Sequence, residues 1–167
     1  MENRRQPTVT DESRPQTLYD SDFMLWTEDQ AKALRGAKGA NLPLDWDNLA
    51  EEIESLGKSD RRAIHSQVRR IVRHLLKLAA SYAERPRGGW QLTIREARSD
   101  VAAILRDSPS LRREIDGIIA EEVGLAGELA VADLEEYGEL TPAVRHQMQR
   151  TNFTADQVLG DWFPDAP

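Results

Sequence analysis

Residues 60–84, DRRAIHSQVRRIVRHLLKLAASYAE, decide the fold because they carry the clearest amphipathic helix pattern in the chain. At about 100° per residue, the apolar side chains share one arc and most of the cations share the opposite arc. The apolar arc contains Ile64, Val68, Ile71, Val72, Leu75, Leu76, Ala79 and Tyr82. The basic arc contains Arg62, Arg69, Arg70, Arg73 and Lys77. A helix with one apolar arc buries that arc against other elements, which predicts a packed helical domain.

Further helix signals lie on both sides of this stretch, and no run is typical of a strand. Caps and glycine stops predict where these helices begin and end. The first runs from Asp20 or Ser21 to Gly36 or Gly39, the second from Asp45 to Gly57, and the third over residues 60–84. The fourth bears Trp90 to Leu105, the fifth runs from Ser108-Pro109 to Tyr137 with Gly138 as its stop, and short helices follow Thr141 and Thr154. The inward stripe of the second consists of Trp46, Leu49, Ala50, Ile53 and Leu56. We predict an all-α, single-domain helical bundle of about five main helices plus short C-terminal helices over residues 19–167, preceded by a flexible tail over residues 1–18.

The composition narrows the class of protein. Apolar residues make up 40% of the 167-residue chain and charged residues 31%, which is typical of one folded domain. Cysteine is absent, so disulfides, thiolate metal sites and cysteine nucleophiles are excluded. The start of the chain lacks the pattern of a signal peptide, and no apolar run is long enough to cross a bilayer. We therefore expect a cytoplasmic protein without a membrane partner.

Charge is segregated along the chain. Residues 58–98 are strongly basic, whereas residues 45–54 and 114–139 contain acids and no Lys or Arg. We predict that these blocks lie against one another inside the bundle. The net charge of −7 disfavours general nucleic-acid binding, because phosphate attraction dominates such affinity.

Two carboxylates, Glu122 and Asp133, fall on the apolar arc of the fifth helix, where an isolated charge is costly. Their predicted partners are Arg61, His65, His74, Arg95 and Arg98. One hypothesis is a polar pocket for catalysis or metal binding; its candidate residues are Glu52, His74, Arg95, Arg98 and Glu122. The other, which we favour, is a set of structural ion pairs. No Glu-x-x-His pair of the di-iron type surrounds any histidine, and we predict neither a metal nor a cofactor.

The basic arc of the third helix also allows two interpretations. As a functional surface it would bind nucleic acid through Arg62, Arg69, Arg73 and Lys77. As a structural surface it would pair with the acidic helices, which is the interpretation we favour. Aromatic residues for base stacking do not alternate with these cations.

One face of the fifth helix is made of small residues: Gly117, Ala120, Gly124, Gly127 and Val131. Such a face lets another backbone come close. It therefore indicates either a central helix buried on both sides, which we favour, or a contact with a protein partner or a second copy in a homodimer.

A resemblance covers nearly all of the chain from Tyr19 to Pro164. The run LDWDNLAEEIESLG at residues 44–57, the YDSDF run at residues 19–23 and the DSPSL run at residues 107–111 are similar to a bacterial family called domain of unknown function twenty-nine. The resemblance implies an all-helical fold, a small bacterial protein and no established activity. With the residue patterns, it favours a protein that acts through protein–protein contacts without catalysis.

Overall fold

Within residues 17–39 and 42–167, which the computed structural model describes, the chain forms helices and turns and no strand. The elements are α1 (Leu18–Ser21), α2 (Phe23–Gly36), α3 (Trp46–Ala80), α4 (Arg87–Asp107), a 3₁₀ helix (Pro109–Glu114), α5 (Ile115–Glu136), α6 (Pro142–Arg150) and α7 (Ala155–Leu159). The all-α fold class is confirmed. The tail predicted for residues 1–18 lies outside the described residues, except that Thr17 caps α1 and Leu18 begins it.

The second and third predicted helices are one continuous helix, α3, of 35 residues. The predicted stop at Gly57 is therefore wrong. Gly57 is buried against α2, and an added Cβ would lie 2.6 Å from Sδ of Met24 and closer still to Oγ1 of Thr27. Its missing side chain lets α2 approach α3. The predicted end at Glu84 is also corrected, since α3 ends at Ala80.

The two halves of the long helix α3 contact different helices. Its N-terminal half forms an antiparallel pair with α2, in which Lys38 meets Asp47 beside the connecting turn. Its C-terminal half packs between α4 and α5. Helix α4 runs antiparallel to α3, since Nε2 of Gln67 donates to Asp100 at 3.0 Å. The acidic α5 runs parallel to α3, because the ion pairs between them rise together in residue number.

The core lies where α3, α4 and α5 meet. Buried apolar side chains come from α3, α4 and α5, with Met24, Leu111, Val144, Met148 and Val158 closing the ends. Several predicted core residues are exposed instead: Leu49 40%, Leu56 50% and Tyr82 74%. Helix α2 covers only the Ala50 and Gly57 side of α3, and Tyr82 follows the end of that helix. None of the helices in the described ranges has the length and apolar composition needed to cross a membrane.

The predicted fifth helix has two parts. Its first six residues, Pro109–Glu114, form a 3₁₀ helix, and α5 follows from Ile115. The predicted stop at Gly138 is confirmed by its left-handed backbone, with φ of +70°, which glycine adopts without steric cost.

We expect Gly57→Ala to lower the free energy of unfolding by about 1–3 kcal/mol, because the new methyl group overpacks the α2–α3 contact. Urea unfolding followed by circular dichroism measures this change. Gly117→Ala is the matched control, since nothing lies within 4 Å of its Cβ position. The control should gain up to about 1 kcal/mol from helix propensity. A Gly57→Ala protein as stable as the wild type would contradict the packing role.

Candidate functional site

The five residues predicted for a polar pocket do not come together. Glu52 and His74 both lie on α3 and are separated by about 33 Å along its axis, at about 1.5 Å per residue. Arg95 and Arg98 lie on α4, where both guanidinium groups contact the ring of Phe163. Glu122 pairs with other cations. Among the residues that the structure describes, no group of three or more His, Asp or Glu side chains is placed to hold a metal ion.

Glu122 lies at the α3–α5 contact and is only 7% exposed. Its Oε1 is 2.8 Å from Nδ1 of His65, and its Oε2 accepts from Nε of Arg69 at 2.5 Å. Burial alone would raise the pKa of Glu122, but the hydrogen bonds from Arg69 and His65 more than offset it. The pKa of this carboxyl group therefore lies below its ordinary value.

Asp133 forms the second polar contact between α3 and α5. Arg73 donates to both of its oxygens, with Nε 2.8 Å from Oδ2, and Nζ of Lys77 donates to Oδ2 at 2.8 Å. Lys77 is 5% exposed and lies 4.9 Å from the ring centroid of the buried Trp90. Burial would raise the pKa of Asp133, yet the hydrogen bonds from Arg73 and Lys77 lower it overall.

These contacts form a set that we call the α3–α5 ion-pair ladder. Its α3 members are spaced by four residues, and their partners are carboxylates of α5 and of its N-cap residue Glu114: Arg61 with Glu114, His65 and Arg69 with Glu122, Arg73 and Lys77 with Asp133. The predicted contact between the basic and acidic blocks is confirmed for this pair of helices. The acidic block at residues 45–54 instead begins α3 and pairs with Arg35 of α2 and with Lys38 in the turn that follows α2.

His74 takes no part in the ladder. Its Nδ1–H donates to the carbonyl oxygen of Arg70 in the preceding turn, at 2.8 Å. Burial lowers the pKa of His74, and the nearby cations Lys77 and Arg73 lower it further. The imidazole is therefore neutral near pH 7, with a local structural role that its helical position explains.

We expect Glu122→Gln to lower the free energy of unfolding by about 1–3 kcal/mol at pH 7. Because the folded-state pKa of Glu122 is depressed, the ionised carboxylate stabilises the fold above the unfolded pKa of about 4.3. This contribution is lost as the pH falls through the folded-state pKa. Urea unfolding of both proteins between pH 7 and pH 3 should show the difference in the free energy of unfolding shrinking as the pH falls.

Glu128→Gln, on the exposed side of α5, is the control and should change stability little at any pH. A difference for Glu122→Gln that is constant with pH would contradict the charge argument.

Arg98 fastens the C-terminal segment to α4. Its Nε donates to the carbonyl oxygen of Val158 at 2.8 Å, and its Nη2 donates to those of Gln157 and Trp162 at 2.7 and 2.8 Å. The last carbonyls of α7 have no partner within the helix, so this cation acts as their cap. Burial lowers the pKa of Arg98, although the carboxylate of Asp161 opposes that shift. The geometry gives Arg98 a structural role.

Arg98→Ala should detach the C-terminal segment and lower the free energy of unfolding by about 2–3 kcal/mol, since three carbonyl oxygens lose their donor. Hydrogen exchange read by mass spectrometry should show faster exchange over residues 153–164. Arg106→Ala removes an exposed cation from the same helix and serves as the control. Equal protection of the segment in wild type and Arg98→Ala would contradict the capping role.

The N-termini of α2 and of the 3₁₀ helix lie together, and a side chain from each accepts a hydrogen bond from a backbone amide of the other. Asp22, the N-cap of α2, accepts from the amide of Leu25 at 3.1 Å and also from the amide of Ser110 at 2.7 Å. In return, Oγ of Ser108 accepts from the amide of Met24 at 3.2 Å. Both capping side chains are buried. The predicted cap of the first helix, Asp20 or Ser21, is therefore wrong: both lie within α1, and Asp22 caps α2.

Asp22→Ala should lower the free energy of unfolding by about 2 kcal/mol, because amides of two helix starts lose their acceptor at once. Asp22→Asn keeps one acceptor oxygen and should lose roughly half as much. Thermal and urea unfolding measure both variants. Asp45→Ala removes an exposed cap with a single amide partner and should cost less than Asp22→Ala. Equal losses for Asp22→Ala and Asp45→Ala would contradict the shared cap.

A groove runs between α5 and α6 on the side of α5 opposite the ladder. Its larger cavity has a volume of about 520 Å³. One wall is formed by the α5 residues Gly124, Gly127 and Val131. The facing wall is formed by Arg145 and Met148 of α6 and by Thr151 and Asn152, which follow α6. A second cavity of about 220 Å³ shares Val123 and Asn152 with the first and extends to Asp116. The central position favoured for the fifth helix is therefore wrong, since α6 is too short to cover this face.

The basic arc of α3 is largely used inside the fold. Three of the four cations predicted for nucleic-acid binding, Arg69, Arg73 and Lys77, pair with carboxylates of α5. Arg62 takes part in none of the ion pairs within residues 17–39 and 42–167. A row of cations facing a phosphate backbone is therefore not formed by these residues.

The fold and its polar contacts define an all-helical bundle with one long shared helix and a groove along its acidic helix. The chain belongs to the family described as Domain of unknown function DUF29, whose profile matches residues 18–163. It is similar to the crystal structure of an alpha-helical protein of unknown function from Rhodospirillum rubrum ATCC 11170, with 27% identity and a TM-score of 0.62, over 89% of this chain and 99% of that one. No curated protein matches the chain. The family resemblance read from the sequence is confirmed.

Proposed function

We propose that this protein acts through contacts with another protein, and that the α5–α6 groove holds a helical segment of that partner without catalysis. The groove extends from Asp116 to Glu135 of α5, which is about 28 Å along the helix axis. That length suits about five turns of a bound helix. Amphipathic helices commonly bind by laying an apolar face into such a groove.

The observation that carries this proposal is the set of glycines beside the groove. Gly124 and Gly127 lie within α5, where each lowers helix stability by about 1 kcal/mol relative to Ala. Nothing within 4 Å would oppose a Cβ at either position, so packing inside the molecule does not require glycine there. A backbone that approaches from outside the molecule supplies a physical reason for both.

The two other functions predicted as alternatives lack a comparable observation. The candidate residues for a catalytic or metal-binding pocket are distributed over α3, α4 and α5, and His74, Arg98 and Glu122 each make a structural contact of their own. The cations proposed for nucleic-acid binding mostly pair with α5. A protein contact at the groove uses residues that the fold leaves unexplained.

We also propose a cellular location and a domain organisation for the protein. We place it in the bacterial cytoplasm, which its lack of cysteine and its similarity to a protein of a bacterium support. We treat residues 19–167 as one domain, since a single cluster of buried side chains draws members from α2 through α7.

The test uses three helical peptides of about 20 residues that share a leucine and alanine face and carry Lys, Gln or Glu on the polar face. Titration of the ¹⁵N-labelled protein should shift the amide signals of Gly124, Gly127 and Met148 with at least one peptide. Gly127→Leu fills the groove and should weaken that binding at least tenfold.

Gly89→Leu is the matched control, because it makes the same substitution at an exposed helical glycine of α4 that lies outside the lining of the groove. Both changes replace glycine by a strong helix former, so the fold is kept. Binding that is lost equally in the two variants, or amide shifts away from the groove, would overturn the proposal. So would the failure of all three peptides to bind.

A further inference from the structure

We infer that the partner of the α5–α6 groove is a basic amphipathic helix of a different protein. This inference rests on the proposed function and adds the chemistry of the occupant. It follows from the unequal use of the acidic residues on the two sides of α5.

The acids on the α3 side of α5 are neutralised within the fold. Glu122 and Asp133 each pair with cations of α3 and are largely shielded from water. They contribute little field to the groove, which lies on the other side of the helix. Any attraction for a cationic partner must come from other residues.

The acids on the groove side form a separate row. Glu128 and Glu135 are seven residues apart, so they lie along one edge of α5. Both are exposed. Glu121 lies outside the lining of the groove, with Nδ1 of His65 3.9 Å from its carboxylate. Glu128 and Glu135 line the groove and form none of the ion pairs found among the described residues. We call this row the groove acids.

Cations are scarce on this side of the molecule. The sequence contains no Lys or Arg between Glu114 and Val144. Within the described lining of the larger cavity, Arg145 of α6 is the one cation, and it lies on the wall opposite the groove acids. A helix with Lys or Arg beside its apolar face would place those charges against the groove acids, with attraction steering its approach.

The same charges disfavour other occupants. A second copy that offered its own α5 would bring two rows of glutamates together, and like charges that face each other are destabilising. Nucleic acid and anionic lipid surfaces are repelled by the groove acids for the same reason. A basic protein helix is the occupant that satisfies both the apolar wall and the acidic edge.

The experiment compares the affinities of the Lys, Gln and Glu peptides by fluorescence anisotropy at low and high salt. The Lys peptide should bind at least tenfold more tightly than the Gln peptide, and raising NaCl from 50 to 300 mM should reduce that advantage. Glu128→Lys combined with Glu135→Lys should weaken the Lys peptide at least tenfold and strengthen the Glu peptide.

The matched control is Glu136→Lys combined with Asp107→Lys, which makes the same change in net charge at exposed positions outside the groove. This control should keep the tenfold preference for the Lys peptide. An equal loss in the two double variants would mean that general attraction to an acidic protein explains binding, and would overturn the inference. If the Gln or Glu peptide binds in the groove as tightly as the Lys peptide, and Gly127→Leu abolishes it, the basic-helix inference fails while the proposed function stands. If none of the peptides binds, both fail.

Discussion

The parallel packing of α5 on α3 is the contact on which the rest of the bundle depends, and charge fixes its register. Arginine, histidine or lysine recurs at every fourth position of α3 from Arg61 to Lys77, and these side chains meet carboxylates at three levels, from Glu114 at the N-cap of α5 to Asp133. Apolar faces alone tolerate small shifts along a helix, because one aliphatic side chain replaces another. A shift of one turn here would leave Glu122 or Asp133 shielded from water without a cation, which is costly. With α3 and α5 aligned, α4 packs against α3, and the segment after α5 adds Val144, Met148 and Val158 to the core.

Much of the architecture could be predicted from periodicity and charge, because both are local properties of the sequence. The core stripe of α3 and the stop at Gly138 follow from residues near one another along the chain. The charge blocks predicted that α3 and α5 attract each other, although not which residues pair. The error at Gly57 has a physical origin. Glycine within a helical pattern commonly marks a helix end, and only the position of α2 shows that this glycine is a close contact. No pattern in the sequence around Gly57 indicates how closely α2 approaches it.

The candidate site was harder to predict for the same reason. Glu122 was correctly expected to need cations, and of its proposed partners only His65 binds it. Its second partner, Arg69, was assigned to the outward arc, because a helical wheel places the Cα of a residue but not the end of a long side chain. Arg98 was likewise named as a partner for carboxylates but binds three carbonyl oxygens of the C-terminal segment. Contacts between residues about 60 positions apart depend on topology, which neither charge nor spacing specifies.

Glycine has three different roles in this chain, and the comparison among them gives the groove its significance. Gly138 ends a helix through a left-handed backbone, and Gly57 lets two helices of the same molecule touch. In both cases the fold itself explains why a side chain is absent. Gly124 and Gly127 have ordinary helical backbone and open space beside them, so the fold gains nothing from them and loses helix stability. A stability cost without an internal benefit is the usual mark of a position set by function. These two glycines coincide with an acidic edge and an open groove on α5, whose other face packs against α3. That coincidence directs the search for function to this side of the molecule.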